Sequence, residues 1–124
     1  MVRKVRVKGF GLFLGNQLAD LNTLNATKLP RLTQLELKAN KLTSTAGVHI
    51  VELKKLYLGD NMITKIEDLG RLRNLMILHL RNNNLSNLDG FTENLRQLQY
   101  LNLRYWFVVY TFFQKCENFV KFFF

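Results

Sequence analysis

Side chains that commonly take part in catalysis or metal binding are few and scattered in this sequence. The histidines are His49 and His79, and the single cysteine is Cys116, far from both along the chain. The adjacent acids Glu67 and Asp68 are interpreted as a solvated pair in a loop. A metal site needs several clustered ligands and a phosphate loop needs glycines at fixed spacing, and the sequence has neither pattern. We therefore expect a protein that is not an enzyme, with no catalytic residue, no metal and no cofactor.

Length and composition predict one small globular domain. The chain has 124 residues, of which 48% are hydrophobic, so it can bury a modest core but not that of a multi-domain enzyme. The longest apolar run, Trp106 to Phe113, is far shorter than a bilayer-spanning helix, which argues against a membrane protein. A lone cysteine excludes an internal disulfide framework and fits a reducing compartment, so we expect a cytoplasmic protein.

The net charge of +9 favours an acidic partner, which could be nucleic acid, an anionic membrane or an acidic protein. The excess is uneven, because Arg3, Lys4, Arg6 and Lys8 all lie within the first eight residues. The alternation of Val5, Arg6, Val7 and Lys8 predicts a strand there. Between residues 20 and 104 the surplus is mild, with 12 basic and eight acidic residues.

An internal repeat is the strongest signal in the chain. The pattern L-x-x-L-x-L-x-x-N-x-L occurs in full three times and begins a fourth time. The full copies are Leu32, Leu35, Leu37, Asn40, Leu42; Leu53, Leu56, Leu58, Asn61, Ile63; and Leu75, Leu78, Leu80, Asn83, Leu85. The fourth begins with Leu98, Leu101 and Leu103 but has Trp106 in place of asparagine, and a degraded copy, Leu12 to Leu18, precedes them. Copies 21 to 23 residues apart are typical of leucine-rich repeats.

The repeat predicts an α/β leucine-rich repeat solenoid, with a curved parallel sheet and short 3₁₀ or α turns on the convex side. Each L-x-L segment would form a strand, near residues 33–38, 54–59, 76–81 and 99–104, with its leucines in the core. The asparagines Asn40, Asn61 and Asn83 would form a ladder that satisfies backbone groups at the turns. We divide the chain into a basic arm or degraded cap (1–11), repeats (12–104) and an aromatic-rich tail without repeats (105–124).

Residues between the leucines point away from the core and would line the concave face of the sheet. The predicted protein-binding residues on this face are Lys38, Tyr57, Ile77, His79, Arg81, Tyr100, Asn102 and Arg104. Tyrosine and arginine are enriched at binding hot spots because each offers a large contact area with a polar tip. We therefore predict a binding surface that has an aromatic centre and a basic flank.

The tail after Arg104 departs abruptly from the repeat pattern. Ten of the 15 aromatic residues fall within residues 105–124. Two interpretations stay open: an apolar cap over the last strand, or sequence introduced by splicing or an incorrect gene model, which the abrupt change favours. In either case we expect no further L-x-L strand after Leu103 and no further regular repeat.

Several segments resemble the leucine-rich repeat-containing protein 23 family. They are Leu42 to Val48, Leu53 to Met62, Leu78 to Asn83 and Leu98 to Arg104. That family is a component of the radial spokes of motile cilia and sperm flagella. The resemblance implies a non-enzymatic scaffold in the axoneme that binds other spoke proteins. The family has more repeats on both sides and continues after Arg104 with another repeat, where this chain has Tyr105-Trp106.

Two alternative functions follow from the same repeat class. The basic charge fits an RNA-associated leucine-rich repeat protein, similar to those of the spliceosome. The short repeats also resemble those of phosphatase regulatory subunits. We favour a protein partner over nucleic acid, with no membrane partner.

Overall fold

The computed structural model describes residues 5–7, 10–12, 18–22, 31–104 and 121–123. Its strands form one seven-stranded sheet in the order β1-β2-β3-β4-β5-β6-β7, so strands adjacent in sequence are adjacent in space. The strands are β1 Val5–Val7, β2 Phe10–Leu12, β3 Gln34–Glu36, β4 Lys55–Tyr57, β5 Ile77–His79, β6 Tyr100–Asn102 and β7 Lys121–Phe123. β1 and β2 form an antiparallel hairpin, and every later pair is parallel. The predicted leucine-rich repeat solenoid is confirmed.

The central leucine of each repeat strand faces the core. In register, Leu35 pairs with Leu56, Leu56 with Leu78, and Leu78 with Leu101, and all four side chains are buried. Because side chains alternate across a strand, the residues on either side of each leucine face the opposite way. The four predicted strands are confirmed, although each is three residues long rather than six.

The return segments supply the rest of the core. Their buried side chains include Val48, Ile50, Ile66, Leu69, Leu72, Leu88 and Leu95. A 3₁₀ helix spans Leu69–Arg71, as the repeat length predicts, and the other described return segments consist of turns and bends. Repeats of 21 to 23 residues leave too little chain for a longer helix.

Asparagine side chains link each turn to its neighbour. Asn61 Nδ2 donates to the carbonyl oxygens of Leu58 and Gly59 in its own turn, at 3.0 and 3.1 Å, and to that of Leu37 in the preceding repeat at 3.0 Å. Its Oδ1 accepts from the backbone N–H of Leu42 at 3.1 Å. Asn83 makes the same four contacts one repeat further along, and Asn40 makes three contacts of this kind with described residues. Each asparagine is buried, so these bonds satisfy backbone groups that water does not reach.

The residue before each ladder asparagine has a left-handed backbone. The φ angles are 57° at Ala39, 56° at Asp60 and 52° at Asn82. This conformation turns the chain out of the strand, and Asn and Asp tolerate it better than other side chains. Alanine at position 39 is therefore the least suitable of the three.

The register of β2 corrects the alignment of the degraded first repeat. Gly11, rather than Leu12, pairs with Leu35. Counted from Gly11, Asn16 has the same offset as Asn40 has from Leu35. Counted from Leu12, the asparagine would come one residue too early. Leu12 and Leu14 resemble the strand leucines in sequence, but Gly11 occupies the position that Leu35 holds in the next repeat.

The expectation that no strand follows Leu103 is wrong. Lys121–Phe123 pairs in parallel with Tyr100–Asn102, and Phe122 is opposite Leu101. Paired residues in successive strands from β3 onward are 21, 22, 23 and 21 positions apart, so β7 keeps the repeat spacing. In the sequence, Phe119, Phe122 and Phe124 have the spacing L-x-x-L-x-L with phenylalanine in place of leucine. The signal was present but hidden by the change of residue type. The turn at Trp106 and the rest of the tail lie outside the described residues.

Candidate protein-binding face

The predicted binding residues lie on one face of β3 to β6 and in the residues that follow these strands. Lys38 and Arg104 are exposed, whereas Tyr57, Ile77, His79, Arg81, Tyr100 and Asn102 are half-buried. The flanking leucines fix this orientation, because they occupy the core side of each strand. This concave face is continuous across four parallel strands.

Three rings lie side by side at the centre of the concave face, one pair tilted and the other stacked. Tyr57 and His79 are directly opposite in neighbouring strands, with ring centroids 4.8 Å apart. Tyr100 lies on the other neighbouring strand, and its ring stacks on His79 with a centroid separation of 4.9 Å. These distances match the spacing of strands in a sheet and lie within the range favourable for aromatic pairs. Both faces of the imidazole are therefore covered by tyrosine rings.

Burial changes the proton affinities of this stack. Desolvation lowers the pKa of His79 below its ordinary value, and the nearby Arg81 guanidinium lowers it further. Desolvation also raises the pKa of Tyr57, with smaller contributions from Glu36 and Tyr100. At neutral pH the Tyr57 phenol and the His79 imidazole are thus both uncharged.

A shared carboxylate lies within the basic flank of this face. Asp60 Oδ2 is 3.6 Å from Lys38 Nζ and 3.8 Å from an Arg81 guanidinium nitrogen. Its other oxygen accepts a hydrogen bond from Asn82 Nδ2 at 2.9 Å. The hydrogen bond from Asn82, followed by the charges of Arg81 and Lys38, lowers the pKa of Asp60, so the carboxylate stays ionised. Asp60 was absent from the predicted site, although it occupies the same repeat position as Ala39 and Asn82.

Gly59 gives the Arg81 side chain its path across the sheet. A Cβ atom at position 59 would lie 3.2 Å from Arg81 Cγ, so the aliphatic part of the arginine packs directly over the glycine. Lys38 and Arg81 come from the strands on either side of Gly59. The missing side chain between them leaves room for the Arg81 stem to cross towards Asp60.

In the described part of the chain, no group of three His, Cys, Asp or Glu residues could hold a metal ion. Within the same residues no helix is both long and apolar enough to cross a membrane.

Comparison with known families identifies the repeat class. Residues 51–92 match the family model described as leucine rich repeats (2 copies). The chain has the leucine-rich repeat fold. The matched region includes β4, β5, two ladder asparagines and the Tyr57–His79 pair, so the repeats that define the family also carry half of the concave face.

The chain spans about a third or less of the length of the two relatives described next. The chain is 46% identical over 116 residues to leucine-rich repeat-containing protein 23 of Bos taurus and 53% identical over 91 residues to that of Xenopus tropicalis. These matches cover 74% and 73% of this chain but only 33% and 26% of the relatives. Among solved structures, a chain of the Drosophila melanogaster SNF/U2A' complex superposes with a TM-score of 0.65 at 29% identity, covering 77% of this chain and 57% of that one.

Proposed function

We propose that this leucine-rich repeat protein is an axonemal scaffold that binds other radial spoke proteins in motile cilia and flagella. The observation that carries the proposal is the identity of about half of the aligned residues with leucine-rich repeat-containing protein 23. Leucine-rich repeat proteins generally use their extended inner surface to bind proteins. The proposed localisation is the ciliary or flagellar axoneme within the cytoplasm.

The proposed contact surface is the concave face around the Tyr57–His79–Tyr100 stack and Arg81. It combines a large aromatic area with charged side chains at its flank, a composition typical of energetically important interface residues. The function is non-enzymatic, because the proposed role needs only a rigid surface. Asn102, opposite His79, and Ile77, opposite Tyr100, add polar and apolar area beside the rings.

Co-purification tests this proposal. Tagged protein carrying Arg81→Glu together with Tyr57→Ala should lose recovery of radial spoke proteins from flagellar extract, whereas the unchanged protein should retain it. A matched control carries Arg73→Glu, which makes the same charge change at an exposed residue in a return segment. Normal recovery with the double variant would move the binding site to the convex side. Absence of spoke proteins from the wild-type sample would refute the spoke assignment itself.

The net charge of +9 favours RNA association as a second candidate function. Phosphate contacts release counterions, so RNA binding should weaken steeply as salt increases.

A pull-down with a phosphatase catalytic subunit tests the regulatory-subunit alternative in parallel.

A further inference from the structure

Among the described residues, the charged flank of the concave face places two cations, Lys38 and Arg81, beside one carboxylate, Asp60. We define the basic edge as Asp60, the two cations that pair with it, and Arg104 one strand further along the sheet. We infer that this edge binds an acidic segment of the partner protein, and that Asp60 competes with that segment for the same cations. This inference rests on the proposed function, because it names the chemistry of the partner at the proposed surface.

The contacts at the basic edge are weak. Both ion-pair distances to Asp60, 3.6 and 3.8 Å, exceed the usual length of a charge-assisted hydrogen bond. The Nε atom of Arg81 is buried and has no hydrogen-bond partner among the described residues. The guanidinium is therefore held by packing over Gly59 and by attraction to a carboxylate that also accepts from Asn82. A partner carboxylate can replace this loose contact with a shorter one.

The third cation extends the positive edge by one strand. Arg104 follows β6 at the position where Arg81 follows β5, and the N–H of Asn82 donates to the carbonyl oxygen of Arg104 at 2.9 Å. Arg104 thus places a third basic side chain one strand beyond the two that pair with Asp60. Elsewhere on the face Glu36 and Lys55 contribute opposite charges, so the positive excess lies at the ends of the strands.

The ring geometry favours a protein over a single-stranded nucleic acid. Proteins that bind single strands offer exposed aromatic faces on which bases stack. Here the faces of His79 are covered by Tyr57 and Tyr100, so this ring cannot serve as a platform. Aromatic ring edges carry positive charge, and phenol and imidazole groups donate hydrogen bonds, so the stack complements carboxylates beside the basic edge.

Binding of a fluorescent polyglutamate peptide at low ionic strength tests the inference with three variants of the full chain. Arg81→Gln should weaken binding about three- to fivefold, the range expected for one partly exposed charge pair. Asp60→Asn should tighten binding by a similar factor, because it removes the competing charge. The amide keeps an acceptor for Asn82, and asparagine tolerates the left-handed backbone at this position. Arg73→Gln removes the same charge as Arg81→Gln but lies in a return segment, so it should change binding little.

The outcomes separate a defined site from general attraction to a basic protein. Equal weakening by Arg73→Gln and Arg81→Gln, or no tightening by Asp60→Asn, overturns the inference. The inference is overturned in favour of RNA if an oligouridine of equal charge binds more tightly than the polyglutamate peptide and this binding depends on Arg81. If Arg81→Gln does not fold, as judged by circular dichroism, Lys38→Gln replaces it, because the Lys38 side chain is exposed. Peptide binding without co-purified spoke proteins would refute only the proposed function, and co-purification without peptide binding would refute only this inference.

Discussion

The ring of Tyr100 stacks on His79, although the two residues are not opposite each other in the sheet. Tyr100 pairs with Ile77, and His79 pairs with Asn102, yet the ring centroids of Tyr100 and His79 are 4.9 Å apart. A diagonal neighbour in a sheet is within reach of a long aromatic side chain. The Tyr100 and His79 side chains are therefore displaced towards each other along the strands. Tyr100 contacts one side of His79, and Tyr57 contacts the other.

The buried His79 should make stability depend on pH. Because its pKa is lowered in the folded protein, the unfolded chain takes up this proton at higher pH than the folded chain does. The free energy of unfolding should therefore be highest above about pH 6.5 and fall as the pH decreases through the folded pKa. Urea denaturation at several pH values measures this decrease. In His79→Phe, which keeps an aromatic ring in the stack, this part of the decrease should vanish; an unchanged pH dependence would contradict the prediction.

Removing one ladder asparagine should destabilise the fold. In Asn61→Ala the backbone N–H of Leu42 and the carbonyl oxygen of Leu37 each lose a side-chain partner. We expect a loss of about 1–3 kcal/mol in the free energy of unfolding, measured by urea denaturation. Asn84→Ala changes the same residue type at an exposed position and should cost less than about 0.5 kcal/mol. Similar losses for the two variants would show that the ladder contributes little.

Replacing Ala39 should stabilise the protein. Its φ of 57° places an alanine in the left-handed region that Asp60 and Asn82 occupy in the next two repeats. Ala39→Asn should raise the free energy of unfolding by up to about 1 kcal/mol, because asparagine adopts this conformation at lower cost. Ala19→Asn, at an exposed position without a positive φ, is the control for the added amide. The same change in melting temperature for both variants would argue against a backbone effect.

Strand β7 should protect the edge of β6. Deleting residues 121–124 removes the backbone partner of Tyr100–Asn102, so hydrogen exchange at these three residues should accelerate and the melting temperature should fall. Phe122→Leu, which restores the usual residue of the repeat, should be tolerated better than Phe122→Asp. Unchanged exchange and melting after the deletion would mean that β7 adds no stability, as expected of a tail unrelated to the repeats.

The repeated backbone follows from short-range patterns in the sequence. Leucines such as Leu56 and Leu78 at fixed spacing indicate strands, since only one side of each strand can face the core. Asparagine at a constant offset predicts the turn, because its amide can both donate to and accept from the backbone. Both features depend on short-range patterns that recur in the three full copies. Where a copy used another residue, as at Gly11 and Phe122, the pattern failed although the strand formed.

Contacts between exposed side chains depend instead on how neighbouring repeats pack in three dimensions. Tyr100 contacts His79 diagonally across two strands. Lys38 and Arg81, which follow the strands on either side of β4, both pair with Asp60, and the Arg81 stem packs over Gly59. Repeat positions specify the strand and face of a residue but not the direction in which a long side chain extends. That direction depends on the size and charge of neighbours in adjacent repeats, which are 21 to 23 residues away along the chain and become neighbours only after folding.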